Sequence, residues 1–62
     1  MCELNVFLLK GEEREKVMEG VVKITVQDDS VLLEGIFGES KKVEGRLAQV
    51  DIMAQTADLV AG

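Results

Sequence analysis

Histidine, tryptophan and tyrosine are absent from the sequence, and cysteine occurs once, as Cys2. Without histidine the chain lacks the commonest metal ligand and the commonest general base at neutral pH, so catalysis would have to run on carboxylates, lysines or the thiol. One cysteine excludes a disulfide within the chain. Phe7 and Phe37 are the only aromatic residues, too few for a platform on which nucleic-acid bases stack. Positive charge is scarce: seven lysines and arginines stand against twelve aspartates and glutamates, a net charge of −5. That is the wrong sign for gripping a phosphate backbone. No cationic start precedes an apolar run, and no uninterrupted apolar stretch reaches the roughly 18 residues of a membrane span. Together with the single cysteine, these absences point to a reduced, cytoplasmic setting and no membrane partner.

What is present is a chain of 62 residues, read as one domain over 1–62. A chain this short buries only about 60% of the surface it exposes when unfolded. Ordering it costs roughly 1.5 kcal/mol per residue, which a thin core offsets only narrowly, so small domains add disulfides, a metal or a partner subunit. With the disulfide excluded, oligomerisation or a metal shared between chains is the expected reinforcement. A two-fold dimer would bring one Cys2 from each chain to the same seam.

The organising stretch is Met1-Cys2-Glu3-Leu4-Asn5-Val6-Phe7-Leu8-Leu9-Lys10. Alternation across a strand puts Cys2, Leu4, Val6 and Leu8 on a wholly apolar face, and Glu3, Asn5, Phe7 and Leu9 on the other. Such a strand belongs inside a sheet or at a subunit seam. Gly11-Glu12-Glu13 suits a hairpin turn, and Arg14 to Met18 a short second strand. After Gly20, the alternation of Val22, Ile24 and Val26 with Lys23, Thr25 and Gln27 marks a half-buried strand with the three apolar residues inside. Asp28-Asp29-Ser30 has turn chemistry, and Val31 to Ile36 returns as a strand. Gly35-Ile36-Phe37-Gly38 reads as a bulge or sharp bend with the aromatic turned inward. Val43 to Gly45 reads as a brief edge strand. From Arg46 to Ala57 the residues fit either period: strands through Val50-Asp51-Ile52 and Leu59-Val60 are the preferred reading, a terminal helix of about ten residues the rival. Six or seven short strands imply an all-β fold, and the expected form is a small SH3-like barrel, homodimeric.

Cys2 is the residue that can carry chemistry. Its sulfur and its own backbone nitrogen can close a five-membered ring on a metal, the nitrogen being a free amine if Met1 is removed and an amide if it stays. Two chains then offer two sulfurs and two nitrogens, a planar set that suits Ni(II) or Cu(II) better than tetrahedral Zn(II). The other reading of a lone cysteine is a small buried hydrophobe. Glu3 reads as a solvated rim residue or as an acceptor beside such a metal, and Asn5 as a partner for nearby backbone or a pin at the seam. The run Glu12 to Lys16 reads as a wet turn and an edge strand whose charges deter aggregation, with partner docking as the alternative. Lys41, Lys42 and Arg46 form the only basic cluster, an RNA or acidic-client patch if anything. Met1, Met18 and Met53 read as core filler or soft Cu(I) ligands. Asp28 and Asp29 read as turn residues, since no spaced set of oxygen ligands for Ca(II) surrounds them.

The opening Met1 to Leu8, together with Gly20-Val21-Val22, Phe37-Gly38-Glu39, Glu44-Gly45-Arg46 and Val50-Asp51-Ile52, resembles the CooT family of small nickel-binding proteins. The cysteine directly after the first methionine, at the head of an apolar strand, is the most specific part of the likeness, which spans nearly the whole chain. The resemblance implies an SH3-like homodimer that is not an enzyme and binds one Ni(II) per dimer, with Cys2 as the metal residue at the interface. It also implies a part in delivering nickel to carbon monoxide dehydrogenase. A metal-free β-barrel adaptor or RNA-binding module is the alternative, and some relatives are labelled as predicted RNA-binding proteins.

Overall fold

A computed structural model describes residues 3–61. Their six strands are β1 (Leu4–Lys10), β2 (Glu13–Val26), β3 (Ser30–Gly35), β4 (Ser40–Glu44), β5 (Arg46–Asp51) and β6 (Thr56–Val60). They make one sheet in the order β4-β3-β2-β1-β6-β5. The all-β expectation holds, and no helix forms among the described residues. The rival helix loses its segment to β5 and β6, which pair antiparallel, Leu47 opposite Leu59 and Val50 opposite Ala57. No helix among the described residues is long and apolar enough to cross a membrane.

β1 lies inside the sheet, as its two-sided apolar character requires. It pairs antiparallel with β2 and parallel with β6, where Val6 faces Ala57 and Leu8 faces Leu59. The inward face is the one its alternation marks: Val6 and Leu8 are buried and Leu4 packs against the core. Cys2, assigned to that face from the sequence, lies outside the described residues. On the outer face, the Arg14 guanidinium lies over the Phe7 ring, 3.8 Å from its centroid, and donates to Asp58 Oδ1 at 3.0 Å. Phe7 and Asp58 are opposite one another in the β1–β6 ladder, and Arg14 rises from β2 on the other side. The stack therefore ties three strands on a face the core does not reach. Arg14→Ala should cost about 1 kcal/mol, the combined worth of an exposed ion pair and a cation–π contact. A denaturation midpoint unchanged from the parent would show the stack to be idle.

The two strands expected over Arg14–Met18 and Val22–Val26 are one bent strand. Residues up to Val21 pair with β1, and Val21 onward pairs with β3. The bend sits at Gly20, whose φ of 67° is open to glycine at no steric cost. Register shifts in both ladders beside it add the local twist of β-bulges. The bulge also overturns the expected inside face. Val21 is fully buried, while Val22 is 48% and Val26 59% exposed; of the three residues placed inside, only Ile24 packs against the core. An unpaired extra residue shifts side-chain parity by one, so a period-2 reading carried across it picks the wrong valine.

Two layers face each other across this corner. Val31, Leu33 and Val43 from β3 and β4 meet Val6, Leu8, Ala57 and Leu59 from β1 and β6, with Val21 at the hinge. The expected barrel does not close. β4 and β5 are consecutive in sequence yet stand at opposite ends of the hydrogen-bonded order. Gly45 alone separates them, turning the chain from one edge to the other with its N–H donating to the Asp29 carbonyl at 2.9 Å. The sheet is bent round its core, but no ladder joins its two edges.

Candidate functional site

β1 opens at Leu4, and Cys2 lies outside the described residues. Leu4 is opposite Val21, and the Asn5 N–H donates to the Gln55 carbonyl in the β5–β6 turn at 2.9 Å. The strand is thus fixed two positions after the cysteine. That turn is shaped by Asp51, whose Oδ1 accepts from the Ala54 N–H at 3.0 Å, and by Gln55 at a φ of 59°. On the other side, the Gly20 carbonyl accepts from the Ile36 N–H at 2.9 Å, which brings the β3–β4 turn alongside. An open cleft results, lined by Glu3, Asn5, Glu19, Ile36, Phe37 and Glu39, with Gly20 as its floor. Glu3 stands at this rim, half-buried, in keeping with its reading as a rim residue.

The two turns flanking the end of β1 carry the most exposed large apolar side chains among the described residues. Phe37 is 89% exposed, and Met53 96%. Phe37 was expected inward and Met53 as core filler, so both readings are corrected. β3 ends at Gly35, after which the chain turns back before β4. The Phe37 N–H, held by Glu39 Oε1 at 3.0 Å, fixes the tip with its ring in solvent. Met53 sits mid-turn between β5 and β6. Met18 does pack against the core. The sequence signal for Phe37 was present in Gly35 and Gly38, which mark a turn tip at least as well as a bulge.

The remaining candidates are scattered. Lys41 and Lys42 are successive residues of β4, so their side chains leave opposite faces. The Lys41 Nζ is engaged, donating to the Val17 carbonyl at 3.2 Å, while Arg46 opens β5 opposite Val60. Lys41 and Lys42 line one cleft together with Lys10, Glu15 and Glu44, and Arg46 is not among its lining residues. Asp28 and Asp29 lie in the exposed β2–β3 turn, where the Gln27 N–H bonds the Ser30 carbonyl at 2.9 Å. Gly11 and Glu12 form an exposed turn, and Glu13 to Met18 pair only with β1, leaving the free edge expected of that charged run. Among the described residues no group of three or more histidine, cysteine, aspartate or glutamate side chains is placed to hold a metal ion. Cys2 lies outside the described residues.

The bent six-stranded sheet defines a class of small all-β proteins, shared with a solved structure. A crystal structure of a protein assigned as CooT from Carboxydothermus hydrogenoformans superposes with a TM-score of 0.89 at 26% identity, covering 98% of each chain. Residues 1–59 match the family model described as CO dehydrogenase accessory protein CooT. The chain belongs to the CooT family of CO dehydrogenase accessory proteins. Comparison with curated proteins gave no match.

Proposed function

We propose that this chain is a non-catalytic, cytoplasmic nickel carrier in the maturation of carbon monoxide dehydrogenase or a related nickel enzyme. Its active form is an SH3-like homodimer that holds one Ni(II) at the subunit seam, through the Cys2 sulfur and adjoining backbone nitrogen of each chain. The observation that carries this reading is the family match, which begins at residue 1 and so includes Cys2. The chemistry of the donor set agrees. A chain without histidine has its one thiol at Cys2, and two thiolates with two backbone nitrogens suit a planar d8 ion. A site of few protein ligands also fits cargo that is handed on.

Nickel titration of the reduced, tag-free protein tests the reading. Thiolate-to-nickel charge-transfer bands should grow to saturation at one metal per two chains, with a dimer in sedimentation at the same concentration. One tight site in a stable monomer would contradict the shared site.

A further inference from the structure

β4 stands at one end of the hydrogen-bonded order, so β3 pairs with one of its sides and the other is open. The Gly35 N–H donates to the Glu39 carbonyl at 2.8 Å and the Gly45 N–H to the Asp29 carbonyl at 2.9 Å, which turns the main chain at both ends of β4 towards β3. Alternation between those two points sends the N–H and C=O groups of Lys42 and Glu44 to the open side. Among the described residues these groups have no partner. An edge of this kind is a template for one more strand.

The space beside the edge selects which strand. A cleft of about 430 Å³ lies between β4 and the β1–β2 hairpin, with Leu8, Val17 and Val43 as its apolar lining. Its cations are Lys10, Lys41 and Lys42, set against the carboxylates of Glu15 and Glu44, so the local sign is positive in a chain of net charge −5. Among the described residues none of the three lysines is in an ion pair, whereas Arg14, Lys16 and Lys23 each are. Lys41 Nζ bonds the Val17 carbonyl at 3.2 Å and keeps its charge uncompensated. Lysines on an edge also deter chance pairing between sheets. That role needs neither a cleft nor an apolar lining, and it admits a strand whose own charges are negative.

We propose that the open edge of β4 and the cleft beside it bind an extended, acidic segment of a partner protein as an added strand. Its main chain pairs with Lys42 and Glu44, its apolar side chains cover Leu8, Val17 and Val43, and its carboxylates meet the three lysines. The site is independent of the nickel reading, since it uses no residue of the proposed metal centre. Lys10 closes β1 about 20 Å along the strand from Leu4.

The test uses the full chain and a short fluorescein-labelled peptide of alternating glutamate and valine, followed by anisotropy. The peptide should bind although both molecules carry net negative charge. A second peptide of the same sequence has N-methyl groups on its main-chain nitrogens, which removes strand pairing and leaves the charge, and it should bind more than about tenfold more weakly. Lys10→Gln combined with Lys42→Gln should weaken binding about fivefold, the worth of two exposed ion pairs. Arg46→Gln, outside the cleft, should keep the parent affinity. All three side chains are exposed, so the variants should keep the parent circular dichroism spectrum. Absence of binding would make the lysines guards of the edge and overturn the proposal. Equal affinity for the N-methylated peptide would reduce the contact to charge alone, and equal affinity of the double variant would place it elsewhere; either result overturns it too. So would a shift from dimer to monomer in sedimentation when the peptide is added, which would make a second copy the occupant of the edge.

Discussion

Cys2→Ser should abolish the nickel bands and lower nickel affinity by more than about 100-fold, since losing groups that merely orient metal ligands already costs 10–100-fold. A hydroxyl does not ionise at neutral pH as a metal-bound thiol does, and in the proposed two-fold site the substitution removes one sulfur from each chain. The core should survive, because its buried members run from Val6 onward. Circular dichroism and the denaturation midpoint, measured beside the titration, separate the two readings of the cysteine. Intact fold with lost nickel identifies a ligand. Unchanged affinity removes the metal site, and a large fall in stability without change in affinity makes Cys2 a buried hydrophobe instead.

Gly45→Ala should be the most damaging of the small substitutions. Gly45 has a φ of 144°, and a Cβ there would lie 2.5 Å from the Val60 carbonyl oxygen and 3.3 Å from its carbon. Both atoms are backbone and cannot rotate away. Backbone strain in this glycine-only region costs about 3 kcal/mol, a large share of the stability of a domain this small. Gly20→Ala gives the internal comparison. It also has a positive φ, but its Cβ would meet only side-chain atoms at 3.6 and 3.8 Å, so the conformational penalty of about 1 kcal/mol stands alone. Urea denaturation of the two variants should show Gly45→Ala clearly the less stable. The reverse order would mean that the β4–β5 passage does not run against β6 as described.

The passage at Gly45 also shows where sequence reading stopped. Glu44-Gly45-Arg46 could be seen as a break between strands, but not as the point where the two edges of the sheet are brought together. The resemblance to the CooT family was carried by the residues themselves, and the family match bears it out. The interior position of β1 was likewise legible, because Cys2 to Leu9 are apolar on one face and half apolar on the other and need cover on both sides. The parallel β1–β6 pairing was not. It joins the two ends of the chain, and a local pattern says nothing about which distant strand will lie alongside. Phe37 was misplaced for a related reason: its apolarity argued for the core, whereas its direction was decided by the hydrogen bonds of a turn involving Gly20 and Glu39.

The sequence by itself determined that the protein is an all-β chain with a single cysteine, Cys2, no histidine and a net negative charge. Those properties follow from residue type and from a period of two, which each short segment carries without its neighbours. Only the tertiary structure decided which valine of Val21-Val22 is buried, that the sheet bends without closing, and that Arg46 stands outside the cleft that Lys41 and Lys42 line. It alone put Phe37 in solvent beside three carboxylates. Each of these depends on a bulge that shifts side-chain parity or on a contact between residues far apart in the chain, and neither is written in the composition of any one segment.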